Sequence, residues 1–188
     1  MSSRTRTATA LTTSVVVLAA AAALVIRSGD DAPITPLFVD ETRAAGIDHA
    51  YDGEYPFFVG GGVATFDCND DAKPELYFAG GSNLAALYVN DSAVGGALRF
   101  AKKPASSTDV ALVTGAYPLD FDNDGVLDLA VLRRGPNMIL RGLGDCEFED
   151  ATESLGVDAG DDWTVSFAAT WERGTKRPTL AFGSYLVP

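Results

Sequence analysis

Four carboxylates, Asp120, Asp122, Asp124 and Asp128, occupy positions 1, 3, 5 and 9 of the stretch Asp120-Phe-Asp-Asn-Asp-Gly-Val-Leu-Asp128. Neither a regular helix nor a strand can turn all four side chains toward one point. A tight loop can, and Gly125 at position 6 permits the sharp turn it needs. Carboxylates held that close repel one another unless a cation lies between them. Hard oxygen ligands on a flexible loop select Ca²⁺, with the backbone carbonyl of Val126 at position 7 completing the set. The plainer alternative is an acidic surface turn, since Asp, Asn and Gly are common turn residues. Recurrence and flanks favour the metal loop. An EF-hand is not expected, because position 12 is Val131 and no bidentate Glu stands there.

A second copy lies upstream. In Asp67-Cys-Asn-Asp-Asp-Ala-Lys-Pro-Glu75, the residues Asp67, Asn69, Asp71 and Glu75 hold positions 1, 3, 5 and 9, with the Lys73 carbonyl at position 7. It carries one formal charge fewer than the other loop, and Ala72 replaces glycine, so weaker binding is expected. A degraded third copy runs from Trp171 to Thr179. Its ligand positions hold Trp171, Arg173, Thr175 and Thr179, which predicts no metal.

The elements that must position these loops are short apolar runs. Unit one contains Phe57–Phe66, Glu75–Ala79, Ala85–Asn90 and Leu98–Lys102. Unit two contains Val110–Leu119, Leu127–Leu132, Asn137–Leu140 and Cys146–Asp150. Unit three starts with Thr164–Trp171 and Thr179–Gly183. These runs read as strands. A unit repeating at about fifty residues with four strands each predicts blades of a β-propeller. The expected fold is all-β: about two and a half four-stranded blades (37–104, 105–158 and 159–188) of a partial propeller, after an N-terminal hydrophobic helix.

The Gly62-Val-Ala-x-x-Asp67 element, the Asp120–Leu129 loop and the strand after each loop resemble FG-GAP/VCBS repeats, the calcium-loop propeller blades also found in integrin α chains. A linker element narrows the likeness. Phe38-Val-Asp-Glu-Thr-Arg-Ala-Ala-Gly-Ile47 recurs as Phe148-Glu-Asp-Ala-Thr-Glu-Ser-Leu-Gly-Val157, and is similar to one in bacterial relatives of cartilage acidic protein. The resemblance covers about residues 36–185. It implies close-packed inner-strand starts at Gly60-Gly-Gly62, which lacks the Lys-Ser/Thr and helix of a phosphate loop.

Arg4 and Arg6 precede a run without charge from Ala8 to Ile26. Residues 1–28 therefore read as a secretory signal or an uncleaved signal anchor, the anchor favoured for want of a small-x-small site. Residues 29–36 form a Pro-rich linker to the propeller at 37–188. The whole chain carries a net charge of −12. Beyond residue 28 there are 11 basic against 26 acidic residues, a net of −15. That balance argues against nucleic acid and anionic membrane surfaces as partners, leaving the N-terminal segment as the sole membrane contact.

The lone His49 sits in an aromatic loop, where a packed or surface role is the default. Trp163 and Trp171 are expected to fill the core between blades. Cys68 and Cys146 permit one bridge in an oxidising compartment, but their places in the two units need not adjoin, and free or partly buried thiols are favoured. Zinc is not expected with two Cys and one His. No nucleophile elbow or His-paired nucleophile is visible, so no enzyme is expected. The functional expectation is a secreted or cell-surface Ca²⁺-binding module for an extracellular protein or carbohydrate. The alternative is an N-terminal piece of a propeller-scaffold enzyme acting on polysaccharide. The chain length fits a portion of a propeller, with an open edge that invites self-association.

Overall fold

The computed structural model describes residues 37–186. The N-terminal hydrophobic segment and the linker lie outside the described residues. Residues 37–40 belong to a first unit, Met1–Asp40, and have no regular structure. All that follows concerns the second unit, Glu41–Pro188. Among the described residues, no helix is long and apolar enough to cross a membrane.

The second unit is all-β. Among the described residues, ten strands form two four-stranded antiparallel meanders and a hairpin. The first sheet has β1 (Val63–Phe66), β2 (Glu75–Phe78), β3 (Ala86–Asn90) and β4 (Phe100–Lys102) in that order. The second has β5 (Val113–Leu119), β6 (Asp128–Arg133), β7 (Met138–Gly142) and β8 (Phe148–Asp150). The hairpin pairs β9 (Trp163–Thr170) with β10 (Thr179–Leu186). A single 3-10 turn, Tyr55–Phe57, precedes β1.

Every expected strand is present, with shifted ends. The first does not begin at Phe57, because the 3-10 turn and the left-handed Gly60 and Gly61 hold the chain out of the ladder until Val63. The fifth begins at Val113 rather than Val110, because Leu112 has φ +65° and interrupts the extended backbone.

The sheets stack face to face. On β6, Leu129 and Val131 join Phe66, Tyr77, Leu87 and Leu140 in a core shared by the two sheets. Ala130 turns the other way with Ile139 and Phe121, where Phe167, Leu180 and Phe182 of the hairpin pack on them. That strand therefore lies between two apolar layers, which is why its sequence is continuously apolar and does not alternate. Polar ties reinforce the second interface. The Thr114 hydroxyl donates to the Thr164 carbonyl at 2.6 Å, and the buried Asn137 amide donates to Ala159 O and Thr164 Oγ1.

The turn of the repeated linker element, residues 41–47 and 151–157, folds alike in both copies. Ala45 N–H bonds to Glu41 O and Ile47 N–H to Thr42 O, as Leu155 N–H does to Ala151 O and Val157 N–H to Thr152 O. Each turn ends on a left-handed glycine, Gly46 or Gly156.

Two expectations need correction. Trp163 is buried, but Trp171 is half exposed at the hairpin's tip and fills no core. Cys68 and Cys146 form a disulfide across 78 residues. The loop leaving β1 lies against the turn entering β8, where Cys146 N–H donates to Cys68 O at 3.1 Å. Stacking of the sheets, which strand spacing alone does not give, makes the two cysteines neighbours.

Candidate metal centre

Both acidic loops join the first two strands of a sheet and curl the same way. In each, the position-1 carboxylate collects the backbone N–H groups of its own loop. Asp120 accepts from Asn123, Asp124 and Gly125, and Asp67 accepts from Asn69, Asp71 and Ala72. Residues at positions 4 and 6 are left-handed in both: Asn123 (φ +65°) and Gly125 (+89°), Asp70 (+58°) and Ala72 (+62°). The turn that the spacing demanded is therefore present twice, with alanine once standing where glycine is at ease.

In the second loop, Asp120, Asp122 and Asp124 each bring one carboxylate oxygen within 4.8 Å of the others. The fourth carboxylate, Asp128, is fully buried at the start of β6. Its oxygens accept from Phe121 N–H within the loop and from Gly142 N–H on β7, both at 2.8 Å. Burial pushes the Asp128 carboxyl above its usual range, and those two donors pull it partly back. A side chain at Gly142 would run into the carbonyl of Leu127, so glycine is what lets β7 pass this close to the loop.

Glu75 repeats the arrangement. It is fully buried, accepting from Cys68 N–H at 2.9 Å and more loosely from Asn90 N–H on β3 at 3.4 Å. Burial raises its pKa too. The position-9 carboxylates thus fasten each loop to the third strand of its own sheet. Each oxygen has two lone pairs, so this bonding leaves acceptor capacity.

The loops differ in what remains. In the first, Asp71 pairs with Lys73 Nζ at 3.0 Å, and a hydrogen bond from Lys73 lowers its pKa. Its other oxygen accepts Lys73 N–H, while Asn69 accepts Asp71 N–H. In the second, the buried Asp122 Oδ1 has no hydrogen-bond partner among the described residues. An orphaned buried carboxylate oxygen beside two further carboxylates is the donor chemistry of a hard divalent cation. The second loop fits Ca²⁺ on that count. The first curls the same way but satisfies its side chains internally.

One further contact is not legible in the sequence. Arg141 on β7 approaches Asp122 Oδ2 with its Nε at 2.9 Å and Glu149 Oε1 with its Nη1 at 3.4 Å. Asp122 and Arg141 lie in different elements, so only the register of β7 against the loop reveals the pair.

Cys68, Glu75 and Cys146 also cluster within 4.8 Å. Their sulfurs are bonded to each other, so the trio is a disulfide beside a carboxylate. His49 is a packing residue: its Nε2 bonds Ala79 O at 2.8 Å and its ring lies on Phe78. The degraded loop at 171–179 closes through Thr179 Oγ1 donating to Glu172 Oε1, with none of its ligand positions acidic.

The family model of the FG-GAP-like repeat matches residues 67–131, from the first residue of the first acidic loop to the strand after the second. Over that segment the chain is similar to FG-GAP-like repeats. No curated protein matches it. The matched FG-GAP segment contains both candidate metal loops and the sheet between them, and an all-β fold of stacked four-stranded meanders is in keeping with β-propeller-like ligand-binding modules.

Proposed function

We propose that this chain is an FG-GAP-type, calcium-stabilised, partial β-propeller that is exported and tethered by its N-terminal segment and binds an extracellular protein or carbohydrate. The carrying observation is the second loop, where three aspartates converge and a buried oxygen of Asp122 is unpartnered. The two four-stranded sheets are two blades, and β9–β10 is the inner half of a third. Ca²⁺ ties the strands of each blade at the loop end and leaves the opposite loops free for a partner. Asp120, Asp122, Asp124, Asp128 and the Val126 carbonyl hold the stronger ion. Asp67, Asn69, Asp71, Glu75 and the Lys73 carbonyl hold the weaker. The Cys68–Cys146 bridge supports an oxidising compartment, in line with Arg4, Arg6 and the apolar run behind them.

Calcium titration of the full-length chain by calorimetry tests this, with Asp122→Ala alongside. Two binding steps are expected, the tighter abolished in the variant. Stabilisation should reach about 2.7 kcal/mol at a hundredfold excess over Kd. A wild-type chain with neither binding heat nor a calcium-dependent Tm refutes the proposal.

A further inference from the structure

We propose that Arg141 is the resident counter-cation of the second acidic loop: it holds Asp122 in the calcium-free protein, passes to Glu149 when Ca²⁺ enters, and thereby sets that loop's affinity. The inference rests on the calcium reading above. Three observations carry it. First, the Arg141–Asp122 approach is an ion pair at 2.9 Å in which Arg141 Nε makes no hydrogen bond. Charge without aligned N–H geometry is a pairing that a divalent cation can displace. Second, the alternative partner is already in reach, because Arg141 faces Glu149 across the β7–β8 ladder and Nη1 donates to its Oε1 at 3.4 Å. Third, blade one has no such device. Val89 stands before Asn90, whose N–H meets Glu75, as Arg141 stands before Gly142, whose N–H meets Asp128. There the loop's own Lys73 pairs Asp71 instead.

The charge count explains why a counter-cation belongs at this loop. Four aspartates within nine residues repel one another when no metal is bound. Half-buried Arg141 offsets one of those charges at Asp122, whose side chain is only 15% exposed. When Ca²⁺ supplies two positive charges, a nearby guanidinium becomes repulsive. Glu149, exposed and across the ladder, gives it a place to go. Affinity is lower than the bare loop would have, and the empty loop stays folded.

Calcium calorimetry on the full-length chain, its Arg141→Gln and Glu149→Gln variants and the double variant separates this from a structural role. Arg141→Gln should bind the second-loop ion about tenfold more tightly, and Glu149→Gln about threefold more weakly, because Arg141 then stays on Asp122. The double variant should follow Arg141→Gln. The gain should shrink as salt rises. Melts in chelator should show Arg141→Gln less stable than wild type without metal. If Arg141→Gln does not fold, the exposed Glu149→Gln change still decides, since unchanged or tighter binding there overturns the proposal. Equal or weaker binding by a folded Arg141→Gln overturns it as well. Wild-type binding with no variant effect sinks this inference alone, whereas no wild-type binding sinks the calcium reading with it.

Discussion

Ala72 holds a left-handed backbone (φ +62°) at the place where Gly125 sits in the sister loop. An L-residue there costs on the order of 1 kcal/mol. Nothing approaches within 4 Å of where a side chain at Gly125 would sit, so the difference between the loops is backbone strain and not crowding. Ala72→Gly should therefore stabilise the calcium-free protein by about 0.5–1 kcal/mol, read from the urea midpoint, and tighten the weaker calcium step. Asp128 is the converse case. Removing its side chain orphans the Phe121 and Gly142 amides, and Asp128→Ala should cost about 2–4 kcal/mol in chelator as well as in calcium. A loss seen only in calcium would mean that the side chain serves the ion alone. At this scale the loop residues are legible in sequence, because spacing at positions 1, 3, 5 and 9 is local. Arg141 is not, because its partner lies in another element and meets it only through the register of β7.

Strand β6 and strand β10 show the two situations an element can meet here. The first is flanked on both edges and covered on both faces. The second pairs only with β9, and its other edge has no ladder partner among the described residues. Hydrogen exchange should be slowest in β6 and much faster in β10, with calcium slowing the first two sheets and leaving the hairpin nearly unchanged. An open edge also templates pairing with another chain. The exposed Ala181 on β10 is the place to block it: Ala181→Lys should reduce concentration-dependent light scattering and change stability by no more than about 0.5 kcal/mol. Equal protection of β6 and β10 in a monomer would show that something covers this edge. Element existence was readable from short apolar runs. Element ends were not, because they depend on left-handed residues such as Leu112 that carry no glycine signature.

For the molecule as a whole, the stacking of sheets matters more than any sheet alone. One core runs from Phe66 on β1 to Leu140 on β7, and the disulfide joins the same two sheets at the loop end. A cross-link closing 78 residues contributes about 4 kcal/mol on chain-entropy grounds. Cys146→Ser should lose that much by chemical denaturation. It should also weaken calcium binding at the first loop more than at the second, since Cys68 lies between the position-1 and position-3 residues of the first. An equal loss at both loops would place the effect in global stability. This pairing escaped the sequence because it depends on how the sheets stack and not on spacing along the chain.

The bridge also has a consequence in time. At a synthesis rate of roughly 5–20 residues per second, on the order of four to sixteen seconds separate Cys68 from Cys146. The chain has only two cysteines, so throughout that interval Cys68 has no partner of its own. The first loop's thiol waits on the nascent chain until the second sheet is nearly complete, open to exchange with any disulfide that reaches it first. Correct oxidation of this protein is therefore a race between its own elongation and its neighbours.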